Sequence, residues 1–214
     1  MAVIDLDAIR IISLEERTDR REQSTSEFQK AVDAGIFPDI KPEFVNRLKP
    51  AGSLWPASFS GHRGYYQATC EHIRILEELF QNKKDLALIL EDDFVFTKSF
   101  FDHFETFWQE IQTDAPDWLA LFLGGTDQNG RSPIKGTTQV ALNKGSTRSH
   151  AYIVNRAGMW RLYDHLFCDR RVVDWSYVNM MSSDACCYSP SKEWYVETRE
   201  SWSNNRQCIA KYGS

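Results

Sequence analysis

The chain has 214 residues and a mass of 24.8 kDa, enough for one domain with a real core. Aromatic residues make up 13% of it and charged residues 26%, which excludes a disordered chain because so much apolar surface must be buried. With 25 Lys+Arg against 30 Asp+Glu the net charge is −5, so general binding to nucleic acid or to an acidic membrane is disfavoured, although a local cationic pocket stays open.

The longest apolar runs, Leu86-Ala-Leu-Ile-Leu90 and Trp118-Leu-Ala-Leu-Phe-Leu123, fall far short of the roughly 20 residues that cross a bilayer, and no transmembrane segment is expected. Asp5 and Asp7 interrupt the apolar stretch a signal peptide would need. Five cysteines, Cys70, Cys168, Cys186, Cys187 and Cys208, show no CxxC spacing. They fit reduced thiols in a cytoplasmic setting and make zinc a poor reading.

Short apolar runs alternate with helical patterns, which predicts an α/β fold. Ile9–Leu14 reads as a first strand that breaks into the polar loop Glu15–Asp19. A polar helix then runs from Asp19 to about Val32, stopped by Gly35 and Pro38, and Pro38–Pro56 reads as a loop region. Tyr65, Thr69, Ile73, Leu76 and Phe80 recur at helical spacing. Asp85–Leu90 predicts a central strand buried on both faces. Phe100, Phe104, Phe107 and Ile111 predict a helix, with Ser99 as its N-cap. Trp118–Leu123 reads as a third buried strand closed by Gly124-Gly125, and Asn129–Thr147 as a loop or a poorly formed hairpin. Ala151–Val154 predicts a strand, followed by a helix carrying Trp160, Tyr163, Leu166 and Phe167. Trp194–Val196 closes the pattern as a last strand, with a polar, irregular tail from Glu197.

The strongest chemical signal is Glu91-Asp92-Asp93, directly after the central strand. Open α/β sheets bind ligands at the carboxyl ends of their strands, and clustered carboxylates repel one another unless a cation compensates. If the chain stays extended, Glu91 and Asp93 point the same way and form a two-oxygen claw for Mg²⁺ or Mn²⁺; the plainer alternative is a solvated turn. Arg17, Arg20 and Arg21 follow the first strand, where guanidinium forks suit phosphates, against a charged helix start in which Asp19 and Glu22 pair locally. Gly61-His-Arg-Gly64 precedes a helix and permits close anion approach, or is simply a loop-to-helix turn. His150 at a strand start reads as a structural residue, or as a third metal ligand alongside the carboxylates. Asp127 and Asp174 each sit beside apolar residues, as a raised-pKa base or as a cap.

Taken in order, these stretches resemble glycosyltransferase family 25, the lipooligosaccharide and collagen-galactosyltransferase-like family with a GT-A type fold. Ile11-Ile-Ser-Leu-Glu-Glu-Arg-Thr-Asp-Arg-Arg21 is similar to the family's opening strand and Arg-rich loop. Gly61-His-Arg-Gly-Tyr-Tyr-Gln-Ala-Thr69 is similar to its Gly-x-x-Gly helix entry, although the family's Ser-His pair is Ala68-Thr69 here, with His72 a turn later. Ala87-Leu-Ile-Leu-Glu-Asp-Asp93 resembles its acidic metal motif and Ser149-His-Ala-Tyr-Ile-Val-Asn-Arg156 its later strand-and-helix entry. Leu121-Phe-Leu-Gly-Gly125 is a weaker fifth match.

The resemblance implies a single GT-A (Rossmann-like) domain over 1–214, whole or cut from a longer chain, with a mixed, mostly parallel central sheet flanked by helices. It implies transfer of a hexose from a nucleotide-diphosphate donor, most often UDP-linked, to a glycan, glycoprotein or glycolipid acceptor, with Mn²⁺ or Mg²⁺ as cofactor. Asp93 would then be the principal metal ligand, Glu91 and Asp92 would hold metal waters or the donor ribose, and His150 would be a third ligand. Ser13, Leu14 and Arg17 would line the nucleotide pocket, with Arg20 a phosphate contact. For an inverting reaction Asp174 is the first choice of base and Asp127 the second; Trp118, Trp175 and Trp202 are candidates to stack on sugars, with core packing the favoured role for Trp118. The competing expectations are a metal-dependent nucleotide or phosphodiester hydrolase and a non-catalytic nucleotide-sugar-binding module.

Overall fold

The computed structural model of the chain describes residues 2–46, 63–169, 171–183 and 186–199. The fully buried run β1 (Ala8–Ser13) leads into α1 (Thr18–Asp33), which ends where Gly35 adopts φ 72° and donates to Val32 O at 2.8 Å. β2 (Glu43–Asn46) and α2 (Arg63–Gln81) precede β3 (Leu86–Glu91). β4 (Phe94–Phe96), α3 (Lys98–Asp114) and β5 (Ala120–Phe122) follow. Four short strands come next: β6 (Thr126–Asp127), β7 (Arg131–Pro133), β8 (Val140–Asn143) and β9 (Ser146–Thr147). β10 (Ala151–Asn155), α4 (Arg156–Asp169), α5 (Val173–Ser183), β11 (Cys187–Pro190) and β12 (Val196–Thr198) complete the order.

Eight strands form one mixed sheet in the order β2-β1-β3-β10-β5-β11-β8-β7. β10 and β8 run against the other six, so the sheet is mostly codirectional, as the sequence predicts. β3 shows why its residues carry no alternation. Leu88 and Leu90 face a core shared with α1 and α3, while Ala87 and Ile89 face a second core under α2, α4 and α5. The first core is an aromatic stack in which Phe37 meets Phe28, Phe96, Phe100 and Phe104 at centroid distances of 5.6 to 5.8 Å. Burying each such ring contributes about 1.5–3 kcal/mol. No helix among the described residues is long and apolar enough to cross a membrane.

The structure corrects several expectations. Part of the region read as loop, Pro38–Pro56, forms β2, which pairs parallel to β1. β4, α5 and β11 have no counterpart in the sequence reading; the two strands are too short to show a period, and α5 is buried on most of its circumference. The α3 cap is Thr97, whose Oγ1 accepts from Phe100 N at 3.3 Å, and Ser99 lies inside the helix. Asn129–Thr147 contains a true hairpin, β7–β8. On α4 the buried residues include Met159, Leu162 and Leu166, whereas Trp160 and Phe167 are exposed. Trp118, by contrast, takes the core role the sequence favours, packing edge-on against Trp108. Gly61, His62, Trp202 and Cys208 lie outside the described residues.

Gly158 is where α4 touches the sheet: a Cβ there would stand 2.0 Å from the Leu119 carbonyl oxygen, which is backbone and cannot rotate away. Gly158→Ala is expected to lower unfolding free energy by about 1–3 kcal/mol in urea denaturation, against the small gain an Ala gives in an open helix.

Candidate active site

β1 and β3 are adjacent and parallel, with Ile12 opposite Glu91, so the segments after them leave the sheet side by side. This is the end at which open α/β sheets bind ligands. The chain does not stay extended after Glu91. Asp92 donates its backbone N–H to Ile12 O at 3.1 Å, residues 92–93 turn, and β4 begins at Phe94. The extended backbone on which the two-oxygen claw of Glu91 and Asp93 depended is therefore absent at Asp92 and Asp93.

Asp92 points inward. Its Oδ2 accepts from Ser13 Oγ at 2.8 Å and its Oδ1 from Arg20 Nη1 at 2.8 Å, while Ser24 Oγ donates to its backbone carbonyl at 2.9 Å. The Arg20 and Asp92 side chains are 7% and 11% exposed, so this is a buried ion pair with hydrogen-bond support. Ser13, Arg20 and Asp92, all expected to face the donor, thus meet one another and fasten α1 to the ends of two strands. Arg17 is half-buried and forks onto Asp19 with two contacts of 2.9 Å, the local pairing the sequence left open; that bond holds the Asp19 carboxyl down at about 2. Leu14 is half-buried beside it. Glu91 lies on the sheet face of Ala87 and Ile89, within electrostatic reach of Tyr152.

Asp93 is different. Its Oδ1 is buried without a hydrogen-bond partner. His150, whose backbone carbonyl accepts from Glu91 N at 2.8 Å, is 3% exposed. Its Nε2 lies 3.4 Å from Val196 O, an arrangement that favours Nε2 as the protonated nitrogen and leaves Nδ1 as a buried lone pair with no partner. Burial pushes the His150 pKa down, opposed by the charges of Asp93 and Asp174 and by the Val196 carbonyl, so the ring is neutral near pH 7. Gly124 makes room for it: a Cβ there would fall 2.4 Å from His150 Nε2 and 2.5 Å from Val196 O. Asp174, on the first turn of α5, accepts from both the N–H and the Oγ of Ser149 at 2.8 Å. Asp93, His150 and Asp174 are thereby gathered from three separate elements.

Asp127 is not part of this group among the described residues. It is exposed on β6 and paired at 3.0 Å with Arg131, whose guanidinium lies 4.1 Å from the Trp194 ring centroid. Sequence reasoning also missed Ser149, Val196 and a buried polar chain in which His72 Nδ1 meets Tyr152 OH at 2.8 Å and Tyr152 OH meets Tyr177 OH at 3.2 Å. The only sequence signal for that chain was Glu71-His72 inside an otherwise apolar helix face. A shallow trough on the outer face of α1, lined by Arg21, Thr25, Gln29 and Asp33, brings no convergent groups together.

Among the described residues no three His, Cys, Asp or Glu side chains form a closed cation cage. A carboxylate oxygen of Asp93 and a ring nitrogen of His150 are each buried without a partner, and both are donor types that a divalent ion takes. Mg²⁺ in particular is commonly held by one or two protein groups and completed by substrate phosphates and water.

No family model matches the chain, and no curated protein matches it significantly. Among solved structures it is similar to a glycosyltransferase involved in the glycosylation of the major capsid of PBCV-1, with 9% identity, 74% of this chain and 67% of that chain covered, and a TM-score of 0.37. It is similar to A197 from STIV, with 10% identity, coverage of 91% and 95%, and a TM-score of 0.45. It is also similar to mouse xyloside xylosyltransferase 1, with 10% identity, coverage of 86% and 84%, and a TM-score of 0.41. At these identities and scores the reading of activity rests on the site itself.

The two neighbouring aspartates separate by stability. Asp92→Ala removes the carboxylate on which Ser13 and the buried Arg20 converge and is expected to lower unfolding free energy by about 3–5 kcal/mol. Asp93→Ala removes an unpartnered buried oxygen and is expected to stay within about 0.5 kcal/mol of the wild type, or to gain, in metal-free buffer. Paired urea denaturation curves check both.

Proposed function

We propose that the protein is a metal-dependent glycosyltransferase that moves a hexose from a nucleotide-diphosphate donor, UDP-linked, to a hydroxyl of a glycan, glycoprotein or glycolipid. The observation that carries this reading is the pair of buried, unpartnered atoms, Asp93 Oδ1 and His150 Nδ1, at the ligand end of the sheet. The ordered resemblance to glycosyltransferase family 25 supports it, since both residues fall in matched stretches.

Asp93 and His150 would hold Mn²⁺ or Mg²⁺, which when bound neutralises the diphosphate charge that develops as the sugar leaves. His150 suits that role because a ligand must be unprotonated, and burial keeps it so. Leu14 and Arg17, on the segment leaving β1, flank the nucleotide, and Glu91 hydrogen-bonds ribose or bound water. Ser13, Arg20 and Asp92 form the wall behind them, and their mutual bonds keep that wall rigid. Asp174 serves as the base. The acceptor oxygen attacks the anomeric carbon, the bond from that carbon to the donor phosphate breaks with its electron pair leaving on the diphosphate, and the acceptor proton passes to Asp174. A single displacement of this kind inverts the anomeric configuration. A two-metal hydrolase would need more ligands than converge here among the described residues. Among the described residues Cys70, Cys168, Cys186 and Cys187 are not joined in disulfides, which fits a cytoplasmic setting.

UDP is expected to raise the melting temperature only with Mn²⁺ present, by several degrees at saturating ligand, and Asp93→Ala and His150→Ala are each expected to abolish that rise while retaining the wild-type far-UV circular dichroism. A full UDP-induced shift in chelator would contradict the proposal.

A further inference from the structure

The turn entering β10 joins the two halves of the proposed site. Arg148 adopts φ 66°, a backbone region that few non-glycine residues occupy and that tends to be kept where surrounding structure enforces it. Beyond it the next two side chains serve different partners. Ser149 is 4% exposed and engages Asp174 on α5, while His150 lies against Gly124 and Val196 O. Both Ser149 donors, the N–H and the Oγ, fall on the same oxygen, Asp174 Oδ1, at 2.8 Å each. Asp174 Oδ2 takes no bond from the described residues.

A carboxylate on the first turn of a helix can swing about two torsions. Two donors on one oxygen fix that rotation and leave the other oxygen as the one available to a proton. We propose that Ser149 is a positioning residue: it holds Asp174 so that Oδ2 meets the acceptor hydroxyl, and its place next to His150 sets the base at a fixed distance from the cation and donor phosphates. This rests on the reading of Asp174 as the base. It adds to that reading a requirement that the base be held by a hydroxyl carried on the metal ligand's own turn. Transfer needs the attacking oxygen aligned with the anomeric carbon, and a displacement of about 1 Å in a positioning group lowers rate by up to about a hundredfold.

A Ser149 that merely secured α5 to the sheet would affect stability without acting through Asp174. The test therefore measures UDP release from UDP-galactose and UDP-glucose with Mn²⁺, beside thermal melts, for wild type, Ser149→Ala, Ser149→Thr, Asp174→Asn and the Ser149→Ala/Asp174→Asn double variant. Ser149→Ala is expected to lower kcat about tenfold with the donor KM changed less than about twofold, because the loss falls on alignment and not on donor binding. Ser149→Thr, which restores the hydroxyl, is expected to recover most of that rate. Asp174→Asn is expected to lose at least about a hundredfold, and the double variant to be no slower than Asp174→Asn alone. Ser149→Ala at full kcat beside a slow Asp174→Asn would overturn the role of Ser149 only. A double variant about tenfold slower than Asp174→Asn would do the same, since independent effects multiply. Asp174→Asn at the wild-type rate would overturn the base reading and this inference with it.

Discussion

The site is organised by one buried interaction, the carboxylate of Asp92 held between Ser13 and Arg20. It binds the ends of β1 and β3 to α1 and forces the chain to turn immediately after the central strand. That turn decides the chemistry of the next residue. With Asp92 satisfied inside, Asp93 follows half-buried, with one of its oxygens shut away from solvent and without a hydrogen-bond partner. A well-satisfied buried pair thus supports an unsatisfied buried group one peptide away, and the stability lost at the second is offset at the first and in the aromatic core behind it.

His150 shows the same division. Its backbone extends the β3–β10 ladder, one ring nitrogen faces a carbonyl of β12, and Gly124 lies close against the ring. The remaining nitrogen is buried, neutral and without a partner. Two acceptors left bare in this way are costly in an empty protein and useful to a cation, which is why the proposed site is centred on the pair and not on the bare acidic triplet. Asp174 is brought to the same region by α5, an element from the opposite sheet face to α1, and its charge, like that of Asp93, reaches the His150 ring.

Much of this was legible in the sequence where a physical signal is local. The unbroken apolar run of β3, the phenylalanine period of α3 and the Gly124-Gly125 stop are all read from neighbours in the chain. β2, β4 and β11 were not legible, because three or four residues cannot establish a period; they are strands only because partners distant in sequence lie alongside. Nor could the sequence tell which of three adjacent carboxylates turns inward. That choice depends on Arg20, 72 residues away, and on Ser13, 79 residues away. The role of Ser149 was hidden for the same reason, since Asp174 lies 25 residues on and in a helix with no clear amphipathic pattern.

The most direct measurement is anomalous diffraction near the manganese absorption edge from crystals of the protein soaked with Mn²⁺ and UDP. The expected result is a single strong peak in bonding contact with Asp93 Oδ1 and His150 Nδ1 and bridging the UDP phosphates, with Asp92 still bound to Ser13 and Arg20. Ordered UDP at the ends of β1 and β3 with no metal peak beside it, or a peak that displaces Asp92 from Arg20 while leaving Asp93 and His150 untouched, would contradict it.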